Sequence, residues 1–224
     1  MSEAMIGLLL NACLQTLQMV GPSAVFATLL GIPLGVILVI TAPGHIMPCA
    51  SVNRVLGAVI NATRSVPFNI LAVAIIPLTR FLVGTAIEPE GMIVPLTVAT
   101  TPFIARLMET ALTEVDHGLI EAAQAMGASP RQIIFKVMLP EALPGIVSSL
   151  TVAIIMLISF SSIAGMFGGG GLGDMAIRYG YQRYMPVVMW TIVVILIVFV
   201  QIIQMCGDRI AARVNKRQIR RKNK

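Results

Sequence analysis

Five long apolar runs, separated by shorter polar stretches, set the pattern of this chain. A helix needs about 20 mostly apolar residues to cross the hydrocarbon core of a bilayer. By that measure the pattern predicts spans over residues 16–40, 55–83, 92–112, 143–167 and 186–206. The first holds Pro22, Pro33 and several glycines, which helices in lipid tolerate better than helices in water. The second is interrupted by Asn61, Arg64 and Pro67, so its first part is expected near an interface. A polar segment, 113–141, divides the third span from the fourth. The glycines Gly168, Gly169, Gly170 and Gly171, then a loop with Tyr179, Tyr181 and Tyr184, divide the fourth from the fifth. No 20–50-residue repeat and no long linker is evident. The expectation is one all-α membrane domain over residues 1–224.

Composition strengthens this reading. Hydrophobic residues make up 57% of the chain and charged ones 12%, with a mean hydropathy of +0.89, whereas a soluble domain carries about 25% charged residues. The net charge is +6, and eight of the sixteen basic residues fall between Arg209 and Lys224. After an apolar run, such a tail reads as a cytoplasmic flank rather than a nucleic-acid contact. With the N-terminus outside, twelve basic residues lie inside and three outside, with Arg64 within the second span. That bias favours an outside N-terminus and an inside C-terminus. No Lys or Arg precedes Arg54, so no cleaved signal is expected. Cys13, Cys49 and Cys206 have no paired spacing, and His45 and His117 are far apart, so neither a disulfide framework nor a metal site is expected. No GxxxxGK[ST] sequence occurs. The chain has no visible means of binding ATP, and no cofactor is expected.

The polar segment contains EAAQAMGASPRQIIFKVMLP, residues 121–140. Asp116 and Glu121 suit the positive end of a short helix, and Gly127 with Ser129 and Pro130 should end it. A second helix over 131–139 then leads through Pro140 and Pro144 into the fourth span. Ala122, Ala123 and Gly127 would let another surface approach closely, and Glu121 could pair with a basic residue there. A helix lying on lipid would instead show a basic face and a broad apolar one.

This spacing (E-A-A, three residues, Gly, nine residues, a β-branched residue, one residue, Leu-Pro) resembles the cytoplasmic coupling loop of bacterial ABC importer permeases. Glu121, Ala122, Ala123, Gly127, Leu139 and Pro140 fall on the matching positions, and Val137 stands where isoleucine is more usual. Further stretches, RSVPF (64–68), IVPLTVATTPFIARLMETALTEV (93–115) and GGLGDMAIRYGYQRY (170–184), are similar to the methionine-type branch. The likeness covers roughly residues 55–213. It implies a type I permease fold in the bacterial inner membrane, built as a homodimer whose coupling loops insert into two ATPase subunits. It also implies an extracytoplasmic methionine-binding lipoprotein and, as cargo, L-methionine with the D-enantiomer and derivatives within range. Another amino acid, a peptide or an ion stays open as cargo. The rival class is an ATP-independent channel or secondary carrier, in which internal repeats and intramembrane carboxylates are common.

The glycines 168–171 read either as a hinge or close-packed turn beside the outer gate, or as an exposed connecting loop. Ile163, Met166 and Phe167 are the gate candidates, Ile163 and Phe167 lying four apart on one helical face. The tyrosines and Trp190 suit a headgroup-level aromatic belt better than substrate contact. Arg64 is a cation at membrane depth, where a central position costs about 2.5–3.5 kcal/mol unless its stem carries the charge to the surface. Arg106 and Glu109 are spaced for a local ion pair.

Overall fold

The structure, a computed structural model, describes residues 3–215, and among these every regular element is helical. Residues 216–224, which hold most of the basic tail, lie outside the described residues. The elements are α1 (Glu3–Ile40), α2 (Ala50–Ser65), α3 (Phe68–Ala74), α4 (Ile76–Val83), α5 (Glu88–Thr113), α6 (His117–Ala125), α7 (Pro130–Ile133), α8 (Leu139–Ala164), α9 (Gly171–Met175) and α10 (Pro186–Val214). Single π-helical stretches follow α7, α8 and α9.

Among the described residues, four helical runs are long and apolar enough to cross a membrane alone: α1, α5, the continuous run from Pro130 to Gly169, and α10. A fifth arises if α2 and α3, bent by 103°, are counted as one broken span. The spans predicted over 92–112, 143–167 and 186–206 fall within these runs. The helices differ from two of the expected spans. The helix that carries the first span begins before residue 16: α1 starts at Glu3 and has 38 residues, a rise of about 57 Å against a hydrocarbon core of about 30 Å. Asn11 and Gln15 dilute the apolar signal there without interrupting main-chain hydrogen bonding. The second span is not one helix. Val66 is extended (φ −86°, ψ 125°) ahead of Pro67, the conformation a residue before proline prefers, so α2 stops at Ser65. Asn61 and Arg64, also expected to interrupt it, stay helical.

The helices approach through small residues. Lipid is as apolar as any side chain, so helices associate in it largely by close backbone packing. A Cβ placed on Gly31 of α1 would come within 2.7 Å of Ile104 on α5, and one on Gly35 would strike Met108. Gly145 of α8 sits against Ala111 of α5, and Gly207 of α10 against Thr151 of α8. Large apolar side chains such as Leu29, Val194 and Ile197 point outward, as a lipid-facing surface requires.

Candidate functional site: the loop between α5 and α8

The segment after α5 is tightly built. Asp116 caps α6, its carboxylate accepting from the Gly118 N–H at 2.8 Å. The helix closes at Gly127, in the left-handed region at φ 77°. There the Gly127 N–H donates to the Gln124 carbonyl at 2.9 Å and the Ala128 N–H to the Ala123 carbonyl at 3.0 Å, the paired bonds of a Schellman stop. Ser129 then starts α7 with a capping box: its N–H donates to Gln132 Oε1 at 2.8 Å, and its hydroxyl accepts from the Gln132 N–H. The expected second helix over 131–139 is not separate. It runs through the π-helical stretch Ile134–Met138 into α8, a single-turn bulge inside a continuous helix of the kind that accommodates a local irregularity such as Pro140.

Burial divides the segment into two faces. Ile120, Ala123, Ile133, Ile134 and Met138 join a core that includes Met108 and Leu112 of α5 and Val39 of α1. Glu121, Ala122 and Gly127 are exposed together. Three of the six candidate coupling residues therefore do not sit on the outer surface. Ala123 turns inward at 4% exposure, and Leu139 and Pro140 are half-buried in the helix leading to α8. Ala123 and Leu139 pack into this core, while a Cβ on Gly127 would meet nothing within 4 Å. Glu121 also has an intrachain neighbour, His117 Nδ1 at 3.7 Å, which attracts it when the imidazole is protonated.

Sequence reasoning missed the large apolar side chains on this outer face. Met126 is 82% exposed and Phe135 67%. A helical projection was the available signal, since Met126 lies six residues, about 240° around, from inward-facing Ile120. The capped turns around Gly127 and Ser129 thus carry two large apolar side chains that nothing in this chain covers.

The second region singled out is the glycine turn, and it is a close-packed turn rather than an exposed loop. Gly168, Gly170 and Gly171 all have positive φ. The N–H of Gly171 donates to Gln15 Oε1 at 2.8 Å and that of Leu172 to Thr16 Oγ1 at 2.9 Å. Two side chains of α1 thus satisfy the first free N–H groups of α9. A Cβ on Gly169 would meet Met92 at 2.6 Å, and one on Gly170 would meet Gln15 at 2.7 Å.

The chain matches the family described as binding-protein-dependent transport system inner membrane component over residues 27–220. It belongs to that family. Over 210 residues it is 55% identical to the probable D-methionine transport system permease protein MetI of Vibrio cholerae, covering 94% of this chain and 93% of that one. The corresponding protein of Haemophilus influenzae is 41% identical over 95% of this chain and 100% of its own length. Among solved structures, a chain from inward-facing conformations of the MetNI methionine ABC transporter aligns with a TM-score of 0.95 at 48% identity, over 96% of this chain and 100% of that one.

In this inner membrane component the remaining candidates fall in separate places. Ile163 is half-buried against the core holding Met92 and Leu96. Met166 is 59% exposed and Phe167 40%. Helical dihedrals lapse at Phe167 (φ −97°, ψ 20°), so the shared helical face expected for Ile163 and Phe167 ends there. Tyr181, Tyr184 and Trp190 are all largely exposed, and Tyr179 is covered by the Arg183 guanidinium at 4.6 Å. Arg106 pairs with Glu109 and also donates to Asn61 Oδ1 at 2.9 Å, joining α5 to α2. Among the described residues no group of three or more His, Cys, Asp or Glu side chains could hold a metal ion.

Proposed function

We propose that this chain is the permease subunit of an ATP-driven importer that carries methionine across the inner membrane. The likeness to a methionine ABC transporter chain, at a TM-score of 0.95 over 96% of the sequence, carries this reading. The named relatives extend the cargo to D-methionine. Two copies form the pathway about a two-fold axis, the commonest symmetry of soluble oligomers. Each offers its α6–α7 surface to an ATPase subunit, and Met126, Ala122, Gly127 and Phe135 are the contact residues. ATP is bound and hydrolysed on that partner. The charge bias of the sequence supports an outside N-terminus and an inside C-terminus, with α6 in the cytoplasm. An extracytoplasmic binding lipoprotein delivers the amino acid.

The test is uptake of labelled L-methionine by proteoliposomes holding the permease and its ATPase, with ATP inside and the binding protein outside. ATP-dependent uptake competed by D-methionine is the expected result. Hydrolysis without methionine uptake would move the cargo to another small solute. Uptake without ATP would point to a channel or secondary carrier. Labelling of single cysteines at Glu3 and Glu121 by an impermeant reagent from each side tests the topology.

A further inference from the structure

Arg64, like Arg183 over Tyr179, lies over an aromatic ring, and it also lines two cavities. It lies in the last turn of α2, next to the 103° break before α3. No carboxylate partners it among the described residues. Its guanidinium lies 5.7 Å from the centre of the Phe103 ring on α5. Arg106, by contrast, donates from its two terminal nitrogens to Glu109, Asn61 and the Gly57 carbonyl. A guanidinium held beside an aromatic face and left without a counter-ion is a receptor for a carboxylate.

Two cavities meet at Arg64 and Phe103. One, of about 420 Å³, is polar and runs beside Glu109 and Thr110 to Thr113. From Phe103 to Thr113 it follows α5 for about 15 Å, toward the end that carries the α6–α7 loop. The other, of about 160 Å³, is apolar and lined by Leu71, Met156, Phe68 and Phe160. Phe68 and Phe160 are stacked, with centroids 4.9 Å apart. A cation beside an aromatic recess that holds the Met156 thioether matches the carboxylate and the side chain of an α-amino acid with an unbranched apolar side chain. Aromatic rings and sulfur attract a thioether.

We infer that Arg64 is the carboxylate-binding residue of an α-amino acid subsite at the α2 break, where the Phe68–Met156–Phe160 recess takes the side chain. The polar cavity, past the Arg106–Glu109 pair, is the lane of release toward the loop end. A single exposed guanidinium holds the cargo without trapping it, as a transport intermediate needs. This inference rests on the transport reading above and adds a residue-level cargo site to it.

The test uses the complete complex in proteoliposomes and reads methionine uptake and ATP hydrolysis together. Arg64→Gln is expected to lower uptake at least about tenfold while hydrolysis stimulated by the loaded binding protein stays within about twofold. Arg64→Lys, which keeps the charge and loses the fork, should recover part of the uptake. Met156→Trp, which fills the recess and leaves Arg64 in place, should show the same loss of uptake per ATP. Unchanged uptake in Arg64→Gln, or uptake and hydrolysis falling by the same factor in both variants, would overturn the subsite while leaving methionine transport intact. A wild-type complex that hydrolyses ATP without accumulating methionine would overturn the transport reading and the subsite with it.

Discussion

Gly127 and Gly171 hold the same backbone angle, φ +77°, in opposite surroundings. Nothing lies within 4 Å of a Cβ built on Gly127, whereas one on Gly171 would be 2.7 Å from Thr16 Oγ1 and 2.9 Å from Met19. Both positions need glycine for the left-handed turn. At Gly127 that is the whole requirement within this chain, and the open space outside is what a partner would fill. At Gly171 the turn is also packed into the bundle, and α1 supplies the hydrogen bonds of α9. The same residue type therefore marks a surface at one end of the molecule and an internal joint at the other.

Replacement at the joint should do the most damage. Gly171→Leu combines left-handed strain with overpacking, a cost of about 3 kcal/mol or more. The expected outcome is loss of monodisperse protein on size-exclusion chromatography in detergent. A Gly171→Leu protein that assembled and transported normally would mean that α9 can leave α1 freely. At the surface, Gly127→Trp should leave insertion and folding largely intact, with left-handed strain of about 1–2 kcal/mol, while co-purification of the ATPase is lost. Gly127→Ala carries the same strain without the bulk. If both variants lose the ATPase equally, the backbone turn and not the open space is what the partner requires.

Substitution at a third position separates docking from folding altogether. Met126 is 82% exposed, so Met126→Ala should change the stability of the permease by less than about 0.5 kcal/mol. As an anchor in a partner's groove it should weaken ATPase binding by about 2 kcal/mol, or roughly 30-fold in Kd. Titration of the ATPase onto permease in nanodiscs measures this. An unchanged Kd would hand the docking role to Ala122 and Phe135.

How much of this was legible beforehand follows from the range of each interaction. The helical runs over 92–112, 143–167 and 186–206 were legible because apolar length is a local property, and so was the stop at Gly127, which depends on a few adjacent residues. The break after α2 was signalled by Pro67, although Asn61 and Arg64 shared the suspicion without cause. The role of Gly171 was out of reach, because its constraint comes from Gln15 and Thr16, some 156 residues away. Ala123 was misplaced for a related reason: a small side chain fits a docking face and a tight internal contact equally well, and only the fold decides. The resemblance to permeases supplied the motif positions, but not which of them face outward.

The gentlest probe of the loop end is pH. His45, in the turn between α1 and α2, meets the His117 ring of α6 edge-on with centroids 5.9 Å apart, and its Nδ1 is buried without a hydrogen-bond partner. Burial, and then the nearby His117, lowers the His45 pKa from the ordinary 6.5. The folded protein thus binds fewer protons at this site than the unfolded chain does. Its contribution is full above pH 6.5 and declines as pH falls through and below that value. Thermal melts of the purified complex between pH 7.5 and 5.5 should show a small acid loss of Tm that shrinks in His45→Gln. The carboxylates, including Glu121 beside His117, are common to both proteins, so the difference isolates His45. An identical acid loss in His45→Gln would mean that this contact does not couple the α1–α2 turn to α6, and that the loop is held by its apolar face alone.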